Sequence, residues 1–160
     1  MTEAATPPEV QQARFPGQAG DVRSARRFVS DAFVVLGLPG EVHHAALATS
    51  ELASNAVTHA ASPFTIRVTG DAATVKVEVQ DSSPSLPRSR TPSPDEPTGR
   101  GLQIVSQCSQ RWGITPVDSG KVVWFEIDRP PSRDGELGFG ESVPAPASPP
   151  VAEPGPQSRT

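Results

Sequence analysis

The sequence predicts a two-layer α/β sandwich: a mixed, mostly antiparallel sheet with its helices on one face. Three observations predict it. Apolar residues recur at three and four from Val22 to Leu36 and again from Leu47 to Val57, the spacing of helices that bury one side. They then alternate singly through Phe64, Ile66 and Val68 and through Val75, Val77 and Val79, the spacing of strands. Proline is segregated as well: eight of the 19 prolines fall within residues 130–156 and five within 84–97, leaving the segments between nearly free of breakers. No internal repeat is present.

Residues 1–12 are polar and read as a flexible arm, and residues 13–15 add a short edge strand before Pro16. Asp21 is placed to cap a first helix with apolar positions Val22, Ala25, Phe28, Val29, Ala32, Phe33 and Leu36, which stops at Gly37 before Pro39. A second helix begins near Gly40 or Glu41 and runs through Leu47, Leu52 and Val57 to about Ala60, where Ser62-Pro63 ends it. The two alternating runs on either side of Gly70-Asp71 pair antiparallel, and the second stops at Asp81-Ser82-Ser83-Pro84.

Residues 82–98 are Pro, Ser, Thr and charge with Leu86 as the only other apolar side chain, the composition of a mobile surface loop. Gly99-Arg100-Gly101 then opens a third helix, residues 102–111, with Leu102, Val105 and Cys108 on one side and Gly113 closing it. Residues 113–115 read as a short strand, Val117-Asp118-Ser119-Gly120 as a turn, and residues 121–128 as a core strand on the strength of Val122, Trp124 and Phe125. Beyond Asp128 the Pro-rich chain cannot bury enough surface to offset its entropy. One folded domain, residues 13–129, therefore stands between a flexible arm, 1–12, and a disordered tail, 130–160.

Composition narrows the function. A net charge of −4 without a basic run argues against nucleic acid as the main partner, since phosphate neutralisation needs clustered Lys and Arg. The single cysteine, Cys108, excludes an internal disulfide and a cysteine-based zinc site, and its helix side makes it a core residue. His43 and His44 are neighbours that face different sides of a helix, and no HExxH spacing occurs, so no transition-metal site is expected. No apolar run approaches the roughly 20 residues of a membrane span, and the amino terminus lacks a basic start followed by an apolar stretch. The expected compartment is the cytoplasm.

The chemistry concentrates in three places. Glu51-Leu52-Ala53-Ser54-Asn55-Ala56-Val57-Thr58-His59-Ala60 sets Leu52, Ala53, Ala56, Val57 and Ala60 on one arc of a helix and lines up Glu51, Asn55 and His59 at i,i+4 steps on the other. By itself this segment also fits an ordinary amphipathic helix whose polar side meets water. Asp81 puts a carboxylate at a strand tip, and Gly99-Arg100-Gly101 opens a helix behind a long loop. Glycines at a helix amino terminus let phosphates approach backbone N–H groups and the positive end of the helix dipole. A carboxylate such as Asp81 accepts from the amino group that adenine has and guanine lacks at the six position, which would select ATP over GTP. Asn55 offers an amide oxygen to Mg²⁺, and Glu51, one turn away, could take a proton from an attacking hydroxyl.

These residues resemble the ATPase fold shared by gyrase, the Hsp90 chaperone, histidine kinases and MutL, and within it the small bacterial anti-sigma-factor serine/threonine kinases. The Glu51 to Ala60 decapeptide is similar to that family's N box, Asp81-Ser82-Ser83-Pro84 to its adenine-reading box, and Gly99-Arg100-Gly101-Leu102 to its glycine box behind the ATP lid. Arg111-Trp112-Gly113 and Lys121-Val122-Val123-Trp124-Phe125-Glu126 are similar to the closing segments of an actinobacterial branch. The resemblance implies a histidine-kinase-like ATPase fold with ATP and Mg²⁺ as ligands. It implies Glu51 as general base, Asn55 as metal and nucleotide ligand, Asp81 with Ser83 as adenine contact, and Gly99, Arg100, Gly101 and Leu102 as lid hinge and phosphate contact. Two departures stand out. Ser83 and Ser85 replace glycines of the adenine-reading box, and Lys121 stands where relatives often have Thr, changing a polar contact near the phosphates. Arg100 either reaches a phosphate or points to solvent.

Two functions follow from the resemblance. One is an ATP-dependent kinase acting in transcription regulation, which phosphorylates an anti-sigma-factor antagonist protein and holds a sigma factor inactive. The other is a non-catalytic anti-sigma binding module with weak or no nucleotide turnover. A detached histidine-kinase-like ATPase domain is a third reading, without a dimerisation helix that carries a phospho-acceptor histidine. The expected partners are the antagonist and the sigma factor, with a homodimer admitted and no direct nucleic-acid or membrane contact.

Overall fold

Alternating side chains in the strands and apolar stripes on the helices define which surfaces meet. The computed structural model describes residues 8–60, 62–83 and 100–131; the arm up to residue 7, the loop from 84 to 99 and the tail from 132 lie outside the described residues. The elements run β1 (Glu9–Phe15), α1 (Asp21–Val35), α2 (Val42–Asn55), β2 (Phe64–Gly70), β3 (Thr74–Asp81), α3 (Gly101–Cys108), β4 (Arg111–Val117) and β5 (Gly120–Asp128). A 3₁₀ turn, Pro39–Glu41, precedes α2 and a π-helical turn, Ala56–Ala60, follows it. Among the described residues the sheet has five strands in the order β1-β2-β3-β5-β4, and every neighbouring pair is antiparallel. Among the described residues no helix is long and apolar enough to cross a membrane.

The core lies between one face of the sheet and the three helices. Phe64, Ile66 and Val68 of β2, Val75, Val77 and Val79 of β3, and Val123, Phe125 and Ile127 of β5 point inward and are buried. From the helices, Val29 and Phe33 of α1, Leu52 of α2 and Val105 of α3 close over them. Each fully buried side chain of this size contributes about 1.5–3 kcal/mol. The buried positions of α2 include Ala45, Ala46, Ala48 and Ala53, small enough for α2 to pack closely against both α1 and α3.

Four local expectations are revised. β1 begins at Glu9, because an edge strand needs only backbone pairing, and its register runs unbroken from Glu9↔Gly70 to Phe15↔Phe64. Asp21 begins α1 without capping it: its Oδ2 turns back to accept from the N–H groups of Gly17, 2.8 Å, and Gln18, 2.7 Å. α3 stops at Cys108, where Ser109 becomes extended, and Arg111 and Trp112 belong to β4; the Arg111 side chain is held across the hairpin by Glu126 and Asp128. Finally, only Phe125 of the aromatic pair in β5 enters the core. Trp124 faces outward over Gly113, where a Cβ would come within 2.6 Å of its ring, and Lys76 Nζ lies 4.9 Å from its centroid.

Two glycines hold turns that other residues oppose. Gly37, φ +78°, ends α1 in a left-handed turn in which Leu38 N–H donates to Phe33 O and Gly37 N–H to Val34 O. Gly120, φ +145°, lies so close to β3 that a Cβ would overlap the backbone oxygen of Asp81. Gly37→Ala meets open space and should therefore lose only the conformational term, about 1–2 kcal/mol, in urea unfolding. Gly120→Ala adds the overlap and should lose more; equal losses for the two would contradict the tight approach of β5 to Asp81.

Candidate functional site

α2 and the amino terminus of α3 meet. Glu51 and Asn55 are one turn apart on α2, both half-buried, and the amino terminus of α3 packs beside them. Gly101, the first residue of α3, is buried against this pair: a Cβ there would lie 3.1 Å from Glu51 Oε2 and 3.7 Å from Asn55 Nδ2. Any side chain at position 101 would crowd the carboxylate, so glycine lets the amino terminus of α3 approach Glu51 and Asn55 closely. The N–H groups of the first turn of α3, which have no acceptor within the helix, are delivered to the same place, with the positive end of that helix.

The third member of the expected polar line does not join. Residues 56–60 wind as a π-helix, whose wider turn rotates the chain off the i,i+4 line, and His59 is exposed. Arg100 flanks α3 and is exposed, and Leu102 is half-buried and packs on the core. Gly99 lies outside the described residues. Elsewhere, His43 and His44 are exposed, the latter bonded to Glu41 at 2.9 Å, and partial burial pushes the Cys108 thiol above its usual pKa, away from nucleophile chemistry.

Asp81 closes the inward face of β3 and sits at the end of the sheet where α2 terminates, since Ser62 Oγ, just past the π turn, hydrogen-bonds Ser82 Oγ at 2.6 Å. It is not a free carboxylate. Lys121 Nζ lies 3.0 Å from its Oδ1, and Ser83 N–H donates to the same oxygen at 2.9 Å. The side chains of Asp81 and Lys121 are 4% and 6% exposed. The antiparallel register sets Lys121 opposite Asp81 on the same face, and the two buried opposite charges pair.

The pairing of Lys121 with Asp81 was not read from the sequence, although a signal for it exists. Lys121 shares its strand parity with Val123, Phe125 and Ile127, so it points inward, where a charge needs a partner. Ser83 is also buried, and the serine substitution of the expected glycine is accommodated by the turn onto Asp81. The pair sets a stability test. Lys121→Met leaves an unpaired buried carboxylate and should cost about 3–5 kcal/mol. The double variant Asp81→Leu with Lys121→Met should recover most of that loss in denaturant titrations. If the two single changes simply add, the charges do not interact as described.

A sequence profile of the histidine kinase-like ATPase domain matches residues 15–127. Comparison with curated protein sequences gives no match. Among solved structures, the crystal structure of the RsbU and RsbW domains of Rv1364c from Mycobacterium tuberculosis is similar, with a TM-score of 0.54 at 19% identity, covering 78% of this chain. The likeness extends over 34% of that larger chain and is one of fold. The profile spans the three described helices and β2, β3 and β4 in full, together with the Glu51, Asn55, Asp81 and Gly101 positions, and the chain belongs to the histidine kinase-like ATPase domain family.

Proposed function

We propose that this chain is an ATP-binding regulatory protein of the anti-sigma-factor serine/threonine kinase type, transferring the γ-phosphoryl group of ATP to a hydroxyl of an antagonist protein. The observation that carries the reading is the close approach at Gly101, where the amino terminus of α3 meets Glu51 and Asn55 without an intervening Cβ. Phosphoryl transfer needs positioned phosphates, charge neutralisation and a group that takes the nucleophile's proton. The first-turn N–H groups of α3 would bind phosphate oxygens. Glu51 Oε2, beside that turn, would accept the hydroxyl proton of the incoming serine or threonine.

The fit to Mg²⁺ is good on the donor set. Among the described residues no group of three His, Cys, Asp or Glu gathers around a metal position. An ion that prefers phosphate and water with few protein ligands suits a site where Asn55 is the hard neutral donor. When bound, Mg²⁺ would neutralise charge on the phosphates; Asn55 would hold it through its amide oxygen.

A second reading is sequestration of a sigma factor with weak or no turnover, and one observation favours it: the carboxylate assigned to the adenine is already bonded to Lys121 and Ser83. Labelled ATP, Mg²⁺ and candidate antagonist proteins separate the two. Glu51→Ala should leave nucleotide binding intact and lower transfer by about two to four orders of magnitude, whereas Asn55→Ala should weaken Mg²⁺-nucleotide binding and transfer together. Circular dichroism on both variants checks folding. Full transfer by Glu51→Ala moves the base elsewhere; a wild-type protein that binds a sigma factor but labels no antagonist leaves sequestration as the function.

A further inference from the structure

The carboxylate assigned to the adenine is enclosed and tied down. Lys121 Nζ lies 3.0 Å from Asp81 Oδ1, Ser83 N–H donates to the same oxygen at 2.9 Å, and the side chains of Asp81 and Lys121 are 4% and 6% exposed. The backbone around the pair has little room to move. Asp81 is matched with Lys121 in the β3–β5 ladder, and Gly120 approaches so closely that a Cβ there would overlap Asp81 and Ser82. Ser82 Oγ is in turn bonded to Ser62 Oγ at 2.6 Å. Asp81 therefore leaves Lys121 by rotation of a side chain rather than by a shift of the strand. Such a rotation strands a buried ammonium, since among the described residues Asp81 is the one hydrogen-bond acceptor of Lys121 Nζ.

We infer that Lys121 is an internal competitor for adenine at Asp81, an autoinhibitory contact that holds nucleotide affinity down. This rests on the nucleotide-binding reading above, with Asp81 as the adenine contact. The lysine ammonium and the six-amino group of adenine are both N–H donors that seek the same carboxylate. The ammonium is charged and already held in place by its strand, so its bond is the stronger of the two. The amino group arrives neutral, and a carboxylate compensated by a cation 3.0 Å away attracts a neutral donor less than a bare carboxylate does. Adenine gains little by approaching the intact pair and loses more by breaking it. Binding then rests on the phosphate end of the nucleotide, beside α3. Removal of the ammonium reverses the balance: the buried carboxylate lacks a cation in the free protein, and the adenine amino group becomes the donor that satisfies it. The same change that destabilises the fold strengthens its hold on the nucleotide.

Calorimetry with Mg·ADP and with the Mg²⁺ complex of purine riboside diphosphate, which is ADP without its six-amino group, tests this. The wild-type protein should bind the two within about fivefold of each other, because the acceptor of the amino group is already taken. Lys121→Met, with folding verified by circular dichroism, should bind ADP at least about tenfold more tightly than the wild type and prefer it to the deamino analogue by at least about tenfold, the worth of a hydrogen bond to a charged group. Lys121→Arg, which keeps a cation beside Asp81, should behave as the wild type. A wild-type preference for ADP over the analogue above about fivefold, or a folded Lys121→Met that binds ADP no more tightly, overturns the competition and leaves nucleotide binding in place. The wild-type ratio alone decides the matter if the variant does not fold. ADP binding to neither protein overturns the nucleotide reading and this inference together.

Discussion

The antiparallel pairing of β3 with β5 is the constraint on which the rest of the structure depends. Its register matches Val75, Val77 and Val79 with Ile127, Phe125 and Val123 on one face, so the two central strands supply a continuous apolar strip for the helices to cover. The same register, carried one step further, sets Asp81 opposite Lys121. A one-residue slip would send the strip outward and separate the two charges. The core and the buried Asp81–Lys121 pair are thus fixed by one ladder of backbone hydrogen bonds, and the close approach of Gly120 to Asp81 pins its end.

The helical layer contributes the other half of the site by a different route. α2 lies between α1 and α3 through its alanine-rich buried face, which brings α3 near enough for Gly101 to rest on Glu51. The π-helical turn after Asn55 then diverts the chain toward Ser62, whose bond to Ser82 joins the end of the helix to the tip of β3. Wide turns of this kind recur at functional positions in helices because they redirect side chains without ending the helix. Here the turn releases His59 from the Glu51–Asn55 line and leaves that pair as the polar face beside α3.

Most of the fold was legible because its signals are periodic. Alternation through Phe64–Val68 and Val75–Val79 marks strands whatever their neighbours, and the three-and-four spacing from Val22 to Leu36 marks α1. Three features escaped for reasons of geometry. β1 is longer than its sequence shows because an edge strand is held by backbone bonds that polar residues such as Gln11 and Gln12 make as well as any. The π turn, residues 56–60, has no sequence signature. The partner of Lys121 depends on register, which parity hints at and only the pairing of two distant strands settles. Glu51, Asn55 and Gly101, by contrast, were recognisable from residue type and spacing, and the packing of α3 on α2 brings them together.

The central claim is that the Gly101–Glu51–Asn55 cradle is a nucleotide site, and the most direct measurement is a nitrogen-15 NMR titration of the protein with Mg·ADP. The Gly101 backbone amide and the Asn55 side-chain amide should shift with a common saturation curve. Residues of the cleft at the far end of the sheet, lined by Gly37, Leu38, Asp128 and Arg129, should stay in place. Shifts confined to that cleft, or none at Gly101 and Asn55 at saturating nucleotide, would contradict the account.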